Sequence, residues 1–168
     1  MAESNLETRR VVILGSSASG KTSLVNRAVH NSFAHDYCQT FGADLTVKTV
    51  IDGQKRVLHM WTCGGHERYR PLLEQFCIDV HAALICCDLL SMLSFQELSY
   101  WFNEIKRLSP DAIILLVGTK SDETDSMAVK VQDLMKVAQE WGVDFKAVSA
   151  KTGAGVNELF DLVVQTVS

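Results

Sequence analysis

The sequence lacks the features that mark secreted and membrane-spanning proteins. Its 5 cysteines are odd in number and form no CxxC pair, so a disulfide framework is not indicated. No signal peptide is present, and the longest apolar run, residues 112–117, is far shorter than the roughly 20 residues that cross a bilayer. We therefore expect a cytoplasmic protein that does not insert directly into membranes.

Two further absences limit the partners. Basic residues are scattered along the chain and the net charge is -4, so the sequence does not indicate the basic surface that nucleic-acid binding requires. No cysteine stands within a few residues of Ser168, so this sequence carries no prenylation signal. Recruitment to a membrane would depend on partner proteins or on a C-terminal tail beyond this sequence.

Length and composition indicate one domain. With 168 residues, of which 47% are hydrophobic, the chain can close one core and is too short for two ordinary domains. We assign residues 1–8 to a flexible N-terminal tail and residues 9–168 to the domain, which we expect to be monomeric.

Short apolar runs alternate with helical periods along the chain. Residues 11–14, 82–87 and 112–117 are continuously apolar, as in strands that helices cover on both faces. The stretches with an apolar stripe at helical spacing begin near Leu24, Leu98, Val131 and Val156. This alternation predicts a doubly wound α/β domain with helices on both faces of a mostly parallel sheet.

One segment departs from this rhythm. Apolar and polar side chains alternate through most of residues 43–51, and Asp52-Gly53 then gives the pattern of a tight hairpin turn before residues 57–61. We expect a six-stranded sheet in which residues 43–51 form one antiparallel edge strand.

A glycine-rich loop carries the strongest chemical signal. Residues 15–22 satisfy GxxxxGK[ST] between a predicted strand and a predicted helix. In such a loop, backbone N–H groups and the helix N-terminus surround a β-phosphate, Lys21 adds a positive charge and the Thr22 hydroxyl ligates Mg²⁺. The residues assigned to this phosphate site are Gly15, Ser17, Ala18, Ser19, Gly20, Lys21, Thr22 and Ser23.

A second segment indicates which base is bound, since the same loop also serves ATPases. Residues 119–122 (TKSD) follow a predicted strand, at the edge where α/β sheets bind ligands. The Asp122 carboxylate can accept hydrogen bonds from guanine N1 and N2, a donor pair that adenine lacks, and Lys120 can lay its stem along the base plane. A later segment also follows a predicted strand and can offer a backbone N–H to guanine O6: Ser149, Ala150 and Lys151.

At these motifs, and over nearly its whole length, the chain resembles the Ras superfamily and within it the Rab family. Residues 40–45 (TFGADL) are similar to the Rab first switch, and residues 61–70 (WTCGGHERYR) to the second switch, usually WDTAGQERFR. The resemblance implies a P-loop GTPase domain that binds GTP, GDP and Mg²⁺ and hydrolyses GTP. It also implies effector, exchange-factor and activating proteins that bind residues 33–45 and 62–75.

The resemblance further implies roles for single residues. Phe33 would pack edge-on against guanine, and Tyr37 belongs to the same nucleotide-binding segment. Thr40 would ligate Mg²⁺ together with Thr22 and read the γ-phosphate, to which Gly65 would offer its N–H. The residues in catalytic positions are Lys21, Gly65 and His66.

Several departures modify these expectations. Thr62 stands in place of the Asp that holds Mg²⁺ through water, and His66 in place of the Gln that positions the attacking water, so we expect slow hydrolysis. Thr119 replaces the Asn of Rabs but matches the Rho pattern and should still support guanine binding. Cys77 and Asp79 stand where Rabs prefer Tyr and Gly, so Rab partners do not carry over directly.

The sequence leaves two functions open. The leading one is a guanine-nucleotide-binding switch of vesicle or membrane trafficking, in which GTP orders both switches and hydrolysis releases the partners. The alternative is a scaffold of the same fold that stays bound to GTP or GDP, which Thr62 and His66 favour. A P-loop kinase ranks last because the sequence has no Arg-rich lid segment.

Overall fold

The apolar runs of the sequence lie side by side in one sheet in the computed structural model, which describes residues 7–34, 42–52 and 54–167. Within these residues the spatial order of the strands is β2-β3-β1-β4-β5-β6. The strands are β1 (Glu7–Gly15), β2 (Ala43–Asp52), β3 (Gln54–Cys63), β4 (Ala82–Asp88), β5 (Ile113–Thr119) and β6 (Asp144–Ala147).

The edge strand β2 is antiparallel to its neighbour β3, whereas the other strand pairs are parallel. The predicted mixed sheet with one antiparallel edge strand is therefore confirmed. Asp52 pairs with Gln54 at the end of this hairpin, and the turn predicted at Gly53 lies outside the described residues.

Helices cover the sheet on both sides, as the alternation of strand and helix patterns predicts. They are α1 (Lys21–His30), α2 (Leu73–Cys77), α3 (Met92–Gln96), α4 (Leu98–Leu108), α5 (Val131–Trp141) and α6 (Val156–Thr166), with 3-10 helices at Glu67–Leu72 and Thr124–Ser126. None of the helices in the described ranges combines the length and the apolar character needed to span a bilayer.

The core is divided by the sheet into two apolar clusters. Successive strand residues point to opposite faces, so Val11 and Ile13 of β1 pack with α1 and α6, whereas Val12 and Leu14 pack with α4 and α5. All four side chains are fully buried. Because both faces of the strands are packed, the positions of the loops at the ends of these strands are fixed.

The central strand β4 is buried along its whole length, including its two adjacent thiols. Cys86 faces α1 and α6, and Cys87 faces α4 and α5. Burial raises the pKa of Cys86 to about 12 and that of Cys87 to about 11. These cysteines are small apolar core residues, as their place in an apolar run indicates.

The sheet begins earlier than the sequence suggests. Glu7 and Thr8 pair with Arg56 and Val57 of β3, so these first two strand residues belong to the sheet and not to the tail that we assigned to residues 1–8. The Glu7 carboxylate forms ion pairs with Arg9 and Arg56. The apolar pattern of the sequence did not predict this end of β1 because its side chains are polar. Residues 1–6 lie outside the described part of the chain.

Aromatic contacts join α2 to β3, on either side of the second-switch segment (residues 62–75), and α4 to α5. The rings of Trp61 in β3 and Phe76 in α2 are 4.9 Å apart between centroids. On α4 and α5, Phe102 and Trp141 stack with their centroids 4.2 Å apart. The second-switch segment thus leaves β3 and returns into α2 beside a packed aromatic pair.

Candidate functional site

A cavity of about 480 Å³ opens at the carboxyl ends of the parallel strands. Its walls are the loops that follow β1, β3, β4, β5 and β6, together with the first turns of α1 and the residues just after that helix. Open α/β sheets bind ligands at this edge, and the volume is within the range of small-molecule sites.

The loop between β1 and α1 is shaped for close backbone approach. Gly15 has a φ of +148°, and a Cβ at this position would lie 2.6 Å from the Cys86 carbonyl oxygen, so only glycine fits without displacing β4. Gly20 precedes α1 with a φ of +85° and supplies no side-chain cap, and the first turn holds no acidic residue. This turn forms one wall of the cavity, where a helix N-terminus favours an anion.

Lys21 lies in the floor of this loop with 5% of its surface exposed. Its Nζ donates hydrogen bonds to the carbonyl oxygens of Gly15 at 2.9 Å and Ser16 at 2.7 Å, and to Ser19 Oγ at 3.2 Å. Burial lowers the pKa of Lys21 to about 8. None of these partners carries a charge, so an anionic ligand would be the group that neutralises the ammonium in the cavity.

The loops after β5 and β6 hold a carboxylate at the other end of the cavity. Asp122 Oδ1 accepts a hydrogen bond from Ser149 Oγ at 2.7 Å, which fixes the orientation of the carboxylate. Thr119 Oγ1 donates to the Ser19 carbonyl oxygen at 2.7 Å. The base-reading segment is thus tied to the phosphate loop, and Thr119 makes this link through a hydroxyl.

Lys120 adds a second link between the two loops. Its backbone has a φ of +62°, an uncommon conformation for a residue with a side chain. Its Nζ donates to the Ala18 carbonyl oxygen at 3.1 Å and pairs with Asp88 Oδ2 at 2.7 Å. Asp88 was not among the predicted site residues; it ends the apolar run of β4, and a search for polar residues at every strand end would have found it.

The structure brings most of the predicted binding residues to one cavity. Gly15 and Ser149 do not line the cavity but contact the lining residues Lys21 and Asp122. Tyr37 and Thr40 lie outside the described residues. The predicted residues that line it are Ser17, Ala18, Ser19, Gly20, Lys21, Thr22, Ser23, Phe33, Gly65, Thr119, Lys120, Asp122, Ala150 and Lys151. Lining residues that the sequence did not indicate include Asn26, Ala34, Leu90 and Glu123.

The second-switch segment contributes only Gly65 to the cavity wall. A Cβ at Gly65 would lie 2.4 Å from Ser17 N and from the Gly15 carbonyl oxygen, so this residue packs directly on the phosphate loop. His66 is exposed and does not line the cavity. Its Nδ1 accepts the Arg68 N–H at 3.2 Å and caps the 3-10 helix Glu67–Leu72, so its catalytic role stays a prediction.

Oxygen donors for a divalent cation are few in the described part of the site. No group of three or more His, Cys, Asp or Glu side chains that could hold a metal occurs among the described residues. Of the two predicted ligands, Thr22 lines the cavity and Thr40 is not described. Thr62 is 3% exposed and brings no charge, so the residues present fit Mg²⁺ that is bound mainly through phosphate oxygens and water.

Comparison with known proteins agrees with this geometry. A profile described as the Ras family matches residues 10–168. The chain is 32% identical over 162 residues to Ras-related protein RabC of Dictyostelium discoideum, which covers 94% of this chain and 83% of that protein. It is 35% identical over 159 residues to Ras-related protein Rab-26 of Bos taurus, which covers 93% of this chain and 62% of that protein.

Proposed function

The chain belongs to the Ras family and is a Rab-like small GTPase, and on this premise we propose that it acts as a slow guanine-nucleotide switch in vesicle or membrane trafficking. Members of the family bind GTP and GDP and hydrolyse GTP. The finer elements of the proposal are the trafficking role, the slow hydrolysis and the assignment of individual residues.

The single observation that carries guanine binding is the fixed Asp122 carboxylate at the end of the cavity. Ser149 Oγ donates to one of its oxygens at 2.7 Å, and because each carboxylate oxygen has two lone pairs, the carboxylate can still accept hydrogen bonds from guanine N1 and N2. At the phosphate end, Lys21 and the N-terminus of α1 supply positive charge and N–H donors. This chain therefore binds the base at one end and the phosphates at the other.

Slow hydrolysis is supported by what stands at positions 62 and 66. Thr22 and Thr40 would hold Mg²⁺, which would neutralise charge on the nucleotide phosphates. Thr62 offers a hydroxyl but no negative charge beside that position. The His66 Nδ1 accepts from the Arg68 N–H, so Nε2 is the ring nitrogen left to orient a water, and one ring nitrogen cannot copy the two-ended amide of Gln. Turnover should be at or below that of ordinary Rabs.

Replacement of Asp122 by Asn tests the assignment of the base. The Asn side chain presents an N–H₂ donor in place of one carboxylate oxygen, so preference should move from GDP toward xanthosine diphosphate, whose 2-oxo group is an acceptor. Competition binding with GDP, xanthosine diphosphate and ADP measures the change. Asp125→Asn is the matched control, since Asp125 is exposed in the next 3-10 helix. Equal competition by ADP and GDP in the wild type would remove the proposal.

A scaffold without hydrolysis is the second candidate, and Thr62 and the engaged His66 favour it. The nucleotide released when the purified protein is denatured distinguishes the two functions. GTP as the main product would support the scaffold, and GDP together with measurable single-turnover hydrolysis of added GTP would support the switch.

A further inference from the structure

A carboxylate outside the cavity connects the phosphate loop to the second-switch segment. Glu97 lies between α3 and α4, and its Oε2 accepts a hydrogen bond from Ser16 Oγ. The same oxygen is 3.8 Å from Arg70 Nη2, and the Glu97 side chain is 24% exposed. One oxygen atom is thus shared by a residue of the phosphate loop and a residue of the 3-10 helix Glu67–Leu72.

Arg70 is held in place on the α4 side of this link. Its guanidinium carbon lies 4.0 Å from the centroid of the Tyr100 ring and 5.6 Å from that of Trp101, a stacking geometry that fixes a guanidinium plane. Its Nε is buried, and no acceptor among the described residues meets it. Glu97 is therefore the acidic partner of this guanidinium within the described chain.

The segment that Arg70 anchors also contacts the phosphate loop directly. Gly65, five residues before Arg70, packs against the peptide between Ser16 and Ser17. The Ser16 carbonyl oxygen accepts from Lys21 Nζ at 2.7 Å. Ser16 therefore contacts the phosphate lysine through its backbone and Glu97 through its side chain.

The Glu97 side chain is placed by its contacts with these two segments, and its charge also acts on Lys21, raising the lysine pKa against the effect of burial. It precedes α4, but its side chain makes no capping hydrogen bond to that helix. It does not line the cavity. Among the described residues its side chain contacts Ser16 and Arg70, on the two segments that would have to move together in a switch.

We propose that Glu97 is a positioning residue that couples occupancy of the phosphate loop to the position of the second-switch segment, through Ser16 on one side and Arg70 on the other. This inference rests on the proposed nucleotide-binding function. When a γ-phosphate binds beside Lys21, the Ser16 peptide and Gly65 keep one relative position. Glu97, which contacts both Ser16 and Arg70, then holds Arg70 in the matching position. Because Gly65 is the predicted donor to the γ-phosphate, binding of a diphosphate should depend less on the link.

The test compares dissociation of GDP and of a non-hydrolysable GTP analogue from the full chain. Glu97→Gln keeps an acceptor for Ser16 but removes the charge that faces Arg70, and Ser16→Ala removes the other side of the link. Each should speed release of the analogue by about 2- to 10-fold, the range expected for a partly exposed charged contact. The charge of Glu97 acts on Lys21 whichever nucleotide is bound, so release of GDP should also change, but by less than release of the analogue. Glu104→Gln is the matched control, because Glu104 pairs on α4 with Arg107 at 2.7 Å.

The double variant Ser16→Ala with Glu97→Gln separates coupling from two independent contacts. It should release the analogue no faster than the more affected single variant, since both changes break one link. Equal acceleration of GDP and analogue would overturn the proposal and leave Glu97 a merely structural residue, and so would additive effects in the double variant. Absence of guanine-nucleotide binding in the wild type would instead remove the proposed function, and the coupling with it.

Discussion

At the scale of single residues, the chemistry of the site depends on a buried ammonium. Burial holds the pKa of Lys21 at about 8, below its ordinary value of 10.5. A lowered lysine pKa means that the charged form is disfavoured in the nucleotide-free fold. Its contribution to stability is therefore least favourable below pH 8 and improves as the pH rises from about 8 toward 10.5, where the unfolded chain still holds the proton that the folded chain has lost.

Nucleotide binding should reverse this shift and take up a proton. Phosphate favours the charged lysine, so GDP binding should absorb about half a proton at pH 8 and little at pH 7. Titration calorimetry in two buffers of different ionisation enthalpy measures the uptake. In Lys21→Arg, whose guanidinium stays charged, the difference between the buffers should vanish. Identical heats in both buffers for the wild type at pH 8 would show that Lys21 is already charged.

Some residues of the site can be read from the sequence and others cannot, for a simple reason. Lys21 and Asp122 belong to motifs in which a local spacing fixes the role. Asp88 and Glu97 act on partners 32 and 81 residues away, and no local pattern marks them. His66 was assigned by its place in a motif, but its Nδ1 contact with Arg68 depends on the turn that the chain makes after Gly65.

At the scale of elements, β3 and the second-switch segment carry the two positions, 62 and 66, on which our prediction of slow hydrolysis depends. Thr62 lies near the end of β3 and pairs in register with Asp44 of β2 and Ile13 of β1. A carboxylate at position 62 would therefore stand opposite another carboxylate, an arrangement that disfavours the free protein. The cation would relieve this repulsion, so Mg²⁺ dependence should be stronger in a Thr62→Asp variant.

Placing the usual Rab residues, Asp and Gln, at positions 62 and 66 should speed GTP hydrolysis. Thr62→Asp should tighten Mg²⁺ binding, and adding His66→Gln should raise single-turnover GTP hydrolysis beyond either change alone, because the two act on one transition state. Quenched single-turnover assays with GTP at several Mg²⁺ concentrations measure both effects. His59→Gln is the matched control for the histidine change, since His59 lies in the middle of β3. A wild type as fast as the double variant would show that Thr62 and His66 are tolerated substitutions.

The sequence predicted the elements well where side-chain pattern and backbone pairing agree. The apolar runs became β1, β4 and β5, and the alternating segment became the antiparallel edge β2. It failed at Glu7 and Thr8, because polar side chains hid a strand end that backbone pairing with β3 stabilises. The short helices α2 and α3 are 5 residues each, too short for an apolar stripe to repeat.

At the scale of the whole molecule, the two apolar clusters share every central strand. A residue on β4 faces α6 or α4 according to its place in the strand, and its neighbours face the opposite side. Loss of packing on either side loosens the same strands. The domain should therefore unfold in one cooperative transition.

Matched truncations on the two faces test this cooperativity. Leu159 on α6 and Ile105 on α4 are both fully buried, and each change to Ala should cost about 2–5 kcal/mol of unfolding free energy. Urea unfolding would be followed by far-ultraviolet dichroism and by tryptophan emission, since Trp61, Trp101 and Trp141 all belong to the α4 and α5 side. Both signals should shift together in both variants. A Leu159→Ala transition seen in dichroism but not in tryptophan emission would mean that the faces unfold separately.

The burial of the described cysteines determines how fast alkylating reagents can modify them. Only a thiolate reacts with such reagents, and Cys63, Cys77, Cys86 and Cys87 are all buried. Covalent labelling at these sulfur atoms therefore waits for the surrounding structure to open. Cys63 and Cys77 lie at the end of β3 and of α2, on either side of residues 64–76, and Cys86 and Cys87 lie in the central strand. Alkylation of Cys63 and Cys77 should therefore report local opening of the second-switch segment. Alkylation of Cys86 and Cys87 should report unfolding of the whole domain.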